Sequence, residues 1–84
     1  MRLKRGAWDG AQPRGHILKV LRGHDVACQP LGNDWYELVD LAGDPEVLYL
    51  PEVVTSELVT HLWRRFGDLH GFRITDLVKP RSRH

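Results

Sequence analysis

Apolar residues recur every four positions at Val54, Leu58, Leu62 and Phe66, and Val59 and Trp63 widen the row into a stripe. Stripes of this width and period belong to core-facing helices. Thr55 or Ser56 can cap the start, Glu57 falls in the first turn, Arg64 and Arg65 in the last, and Gly67 follows. Each satisfies an orphan backbone group or one end of the helix dipole. Nearer the start, Ile17, Leu18, Val20 and Leu21 come as doublets around Lys19, between Pro13 and Gly23. That spacing and punctuation predict a first helix, and the density of branched and apolar residues leaves a strand over 16–22 as the alternative.

The middle of the chain reads as strands. Residues 26–29 form a short one, stopped by Pro30 and Gly32, and residues 35–41 a stronger one between two clusters of turn residues. Residues 47–50 return as the second arm of a hairpin whose outward positions, Glu37, Asp40 and Glu46, are acidic. Pro51 ends that strand because it cannot continue a ladder. Residues 71–78 are either a final strand or a short capped turn after Thr75. The fold class is therefore α+β: one domain over 1–84, with a short antiparallel sheet of three or four strands on one or two helices, in the order α-β-β-β-α. Residues 1–12 read as an N-terminal arm that Trp8 can pin, and 79–84 as a basic tail expected to be disordered.

At 84 residues and 42% hydrophobic, the chain can form one small core. The lone Cys28 cannot make an internal disulfide and no secretory apolar segment opens the sequence, so a reducing, cytoplasmic setting is expected. No run approaches the roughly 20 apolar residues of a membrane span, and no membrane partner is expected.

Charge changes the picture more, because it is sorted by position. Residues 1–24 balance to +5, residues 25–57 hold eight acids with no Lys or Arg, and residues 58–84 balance to +4. The net charge of +1 hides two opposite fields. Such sorting bears on partners and association. Arg2, Lys4 and Arg5 at one end and Arg73, Lys79, Arg81 and Arg83 at the other are phosphate- or RNA-binding candidates if the termini meet. An isoelectric point near 8.0 lies below the roughly 9 of dedicated nucleic-acid binders. The acidic hairpin suits a basic protein partner, or the basic ends of a second copy in a homodimer. Asp34, Glu37, Asp40 and Glu46 are its candidate contacts, with Trp8, Trp35 and Tyr49 as anchors if exposed; as large aromatics all three also suit a core.

Reactive residues form no catalytic motif. His16, His24, Cys28, His61, His70 and His84 show no spacing typical of a metal site. Cys28 lacks the arranged base and orienting group that a nucleophile needs, and reads as a small buried hydrophobe. The isolated glycines build no phosphate loop. No catalytic residue, metal, cofactor or small-molecule substrate is indicated.

The residues 17–23, Gly32, the run Leu48-Tyr49-Leu50-Pro51 and the stretch 58–67 together resemble the double-stranded-RNA-binding-like fold of HicA-type mRNA interferases. These are small toxins of some bacterial toxin–antitoxin pairs. They match, in order, a first helix with its glycine stop, the glycine opening the second strand, a strand closed by proline, and the last helix with its glycine. The resemblance implies a helix, three strands and a helix acting on RNA. That family's chemistry uses a histidine just after the glycine, and here Asn33, Asp34, Trp35 and Tyr36 follow Gly32. A carboxylate at Asp34 would repel phosphate, which argues against nuclease activity. The leading expectation is a small non-enzymatic interaction domain working through acid–base polarity. The alternatives are a HicA-like RNA-associated protein with weak or no nuclease activity and, third, a metal-dependent enzyme using the histidines.

Overall fold

A computed structural model describes residues 10–79 of the chain, and its backbone follows the expected helix, three strands, helix order, with a short strand added before each of the two helices and helical turns after the second. Strand β1 (Gln12–Pro13) leads into helix α1 (Arg14–Gly23), followed by β2 (Ala27–Gly32), β3 (Trp35–Val39), β4 (Pro45–Tyr49) and β5 (Val53–Val54). Helix α2 (Ser56–Leu62) continues through a π-helical turn (Trp63–Gly67) into α3 (Asp68–His70), and α4 (Ile74–Leu77) closes the described chain. The N-terminal arm, with Arg2, Lys4, Arg5 and Trp8, lies outside the described residues except for its last three, and so do Arg81, Arg83 and the tail beyond Lys79.

The three longer strands form an antiparallel meander with β3 at its centre, and β1 pairs with β5 as a separate two-stranded sheet. The main sheet thus has three strands and no fourth, and two further strands pair apart from it. Inward-facing Leu38 and Leu48 join Ile17, Leu21, Val59, Leu62, Phe66 and Leu77 in one core between the sheet and the helices. None of the described helices is long and apolar enough to cross a membrane.

Residues 16–22 are helical, as their spacing predicts, because Ile17, Leu18 and Leu21 fall on one buried face. Several other local expectations are corrected. Pro30 does not stop the second strand: β2 runs on to Gly32, with Pro30 paired opposite Tyr36 and the register shifting before Gly32. Proline is tolerated there because β2 is an edge strand, whose outward N–H has no ladder partner to lose. Asn33 and Asp34, with φ of 55° and 67°, close the hairpin as a two-residue turn in the left-handed region.

Gly67 does not end the long helix, which passes through it and stops at Gly71, whose φ of 80° caps the end. Gly67 is instead a place of close approach, since a Cβ there would lie 2.3 Å from Trp63 Cδ1. The last segment is a helical turn begun by Arg73, whose N–H donates to Asp76 Oδ2 at 2.9 Å. Gln12, assigned to the arm, is buried, and its Oε1 accepts the Lys79 N–H at 2.6 Å, joining the two ends of the described chain.

Candidate functional site

Alternation along the strands decides which side chains are free to meet a partner. Tyr36 and Leu38 turn toward the helices, so Trp35, Glu37 and Val39 turn away. Their register partners on β4 are Tyr49, Val47 and Pro45, and on β2 Gly32, Gln29 and Ala27. The outer face of the meander is therefore a grid of three rows. One is Gly32, Trp35 and Tyr49; the next Gln29, Glu37 and Val47; the last Ala27, Val39 and Pro45. Trp35, Val47 and Tyr49 are 45%, 53% and 47% exposed. The Trp35 and Tyr49 rings are tilted against each other, centroids 5.8 Å apart, which favours a shared aromatic surface.

The acidic residues expected beside these aromatics divide differently. Asp40 is not an outward position: it is 5% exposed, with Oδ2 accepting from Arg65 Nη1 at 2.9 Å and Oδ1 from the Asp44 N–H at 3.1 Å. Glu46 lies on the helix side too, 3.4 Å from Arg65 Nε and 2.6 Å from His61 Nε2. Asp34, in the hairpin turn, meets Arg14 Nη1 at 2.8 Å, and the same nitrogen donates to the Leu50 carbonyl at 2.9 Å. Three of the four acidic candidates, Asp34, Asp40 and Glu46, are thus matched by cations from the flanking helices of their own chain. The two signs, separate in sequence, are folded against each other. Glu37 is the exception among the four: like Asp25, Asp44, Glu52 and Glu57, it has no ion pair among the described residues. Arg73 and Lys79 are exposed, and no described residue forms an ion pair with either side chain.

The hydrogen bond and charge of Arg65 hold the Asp40 carboxyl below the usual carboxylate range. A depressed folded pKa adds stability that is complete above the unfolded value of about 3.9 and fades as pH falls through the folded one. Arg65→Met is expected to lower the urea midpoint at pH 7 and to shrink the loss seen between about pH 5 and pH 2. Equilibrium unfolding across that range checks it, and an unchanged acid profile would refute the assignment.

The remaining chemistry is structural. His16 Nε2 lies 2.9 Å from the Asp76 carbonyl and His24 Nδ1 3.2 Å from that of His70, so both tie α1 to the C-terminal segment. Burial raises the Cys28 thiol above its ordinary pKa, against thiolate character at neutral pH. Among the described residues no three His, Cys, Asp or Glu side chains gather as a metal-holding group.

Of the sequence candidates, the fold brings Trp35, Glu37 and Tyr49 together and takes Asp34, Asp40 and Glu46 into internal pairs. Val39 and Val47 were missed. The signal for them was present: in 35–39 and 46–50 both phases of the alternation hold large apolar residues, unlike a strand with one wet face. No protein-family model matches this sequence, and no curated protein or solved structure matches it either.

Proposed function

We propose that this chain is a small non-enzymatic binding domain that docks a protein partner on the outer face of its three-stranded sheet. The observation behind this reading is the exposed cluster of Trp35, Val47 and Tyr49 on a rigid hairpin, continued by Val39 and Pro45. Contiguous apolar surface held by regular structure marks an interaction site more often than scattered exposed residues do. Aromatic anchors are the residues that dominate such contacts. Polarity has a smaller part than the charge sorting suggests, because most of the hairpin's carboxylates are already paired within the chain.

Val47→Lys and Val53→Lys form a matched test, since both valines are exposed, at 53% and 60%, but Val53 lies on the separate small sheet. A protein that copurifies stoichiometrically with the wild type and with Val53→Lys, but not with Val47→Lys, is the expected result. A companion retained by Val47→Lys, or none at all, would overturn the reading.

The order helix, three strands, helix favours a second reading, a HicA-like RNA-associated protein without nuclease activity. Asp34 stands where that family places its histidine, and it is neutralised by Arg14 rather than open to phosphate. This reading expects binding of labelled double-stranded RNA that weakens steeply with salt and with Arg73→Ala and Lys79→Ala. Absence of RNA binding at low salt removes it.

A further inference from the structure

Resting on the first reading above, we infer that the outer sheet face takes an extended segment of another protein, one that seats an arginine on Glu37 with apolar side chains to either side. Glu37 occupies the middle of the grid. Gln29 and Val47 flank it across the strands, and Trp35 and Val39 flank it along β3. Asp34, Asp40 and Glu46 each meet a cation of their own chain, whereas Glu37 has no ion pair among the described residues. The described face bears no Lys, Arg or His. Burying an ionised carboxylate without a counter-charge is strongly unfavourable, so whatever covers Trp35 and Val47 must bring a cation to the centre.

A second copy of this chain fits poorly. Stacking two such faces about a two-fold axis puts two Glu37 carboxylates into one dry layer with no cation. Size points the same way. Three strands of five or six residues present about 14 Å by 17–20 Å, or about 240–280 Å² in projection, and a stable dimer needs roughly 800 Å² per partner. An area of this kind suits a single segment. Nucleic acid is disfavoured by the same lone negative charge.

The spacing specifies the segment further. Same-face residues along a strand stand about 6.7 Å apart, so the row Trp35, Glu37, Val39 matches an occupant with apolar, arginine, apolar side chains at alternate positions. Arginine fits better than lysine because its fork can grip both carboxylate oxygens while its plane rests on the adjacent Trp35 and Tyr49 rings.

The test is selection of random twelve-residue peptides displayed on phage against the full chain, its Glu37→Lys variant and its Val47→Lys variant, each checked for native circular dichroism. The wild type is expected to select peptides with arginine between alternate apolar residues. Glu37→Lys is expected to select aspartate or glutamate at that place. The best wild-type peptide, made synthetically, should lose at least about tenfold in affinity for the near-isosteric Glu37→Gln. Peptides lost on Val47→Lys but lacking any basic preference would overturn this inference and leave the binding face standing. Peptides that still bind Val47→Lys would overturn both. Two results would assign the face to the chain itself and reject a foreign segment. One is a concentration-dependent dimer in light scattering that Val47→Lys dissolves. The other is a synthetic peptide of residues 1–9 that binds more tightly than any selected sequence.

Discussion

Phe66→Ala is expected to remove about 3–5 kcal/mol of folding stability, the usual cost of deleting a fully buried phenyl ring. A domain of this size has about 4–12 kcal/mol in total, so the loss removes a quarter of it or more. Phe66 is inaccessible to solvent at the π-helical turn, where it meets the core shared by the sheet and the helices. Its ring also lies 4.6 Å from the Arg65 guanidinium carbon and so supports the residue that pairs Asp40 and Glu46. The deletion therefore strikes the core and the clamp on the hairpin together. Urea titration followed by circular dichroism measures it, and a loss below about 1 kcal/mol would mean that Phe66 is not the core residue described here.

Gly67→Ala is expected to destabilise even though alanine is the better helix former. Helix propensity alone favours the change by up to about 1 kcal/mol. Against it, the new Cβ would stand 2.3 Å from Trp63 Cδ1 and 2.6 Å from Nε1. The indole cannot swing aside freely, because its Nε1–H donates to the Phe72 carbonyl at 3.3 Å. Overpacking of this kind costs about 1–3 kcal/mol or more, so sterics win. The matched control is Gly71→Ala, where nothing lies within 4 Å and only the positive φ opposes a side chain, at about 1 kcal/mol. A fall in urea midpoint larger for Gly67→Ala than for Gly71→Ala is the expected order. A rise for Gly67→Ala would show that the ring moves at little cost.

How much of this was legible beforehand differs from one residue to the next. The long helix announced itself because Leu58, Leu62 and Phe66 recur at its period, although Val54, counted in the same row, lies on β5, and Thr55 does accept the Leu58 N–H as its cap. Its end did not. Gly67 carries the same letter whether it stops a helix or makes room for an indole, and only the position of Trp63 distinguishes the two. Pro30 misled in a similar way: it blocks a central strand and is harmless on an edge, and strand order is not local information. At the candidate site, Trp35 and Tyr49 were visible as aromatic anchors, and their joining followed from the register of β3 and β4.

Local periodicity, turn chemistry and composition by themselves determined the α+β class, the element order and most of the core, because each depends on spacings of a few residues. Only the tertiary structure decided which carboxylates are spent in ion pairs and which are free. Arg14 reaches Asp34 across 20 positions and Arg65 reaches Asp40 across 25. Charges far apart in the chain cancel when the fold brings them within hydrogen-bonding distance, and a linear count of charge cannot register that. What survives on the outer sheet face, one carboxylate among apolar neighbours, is a product of strand pairing.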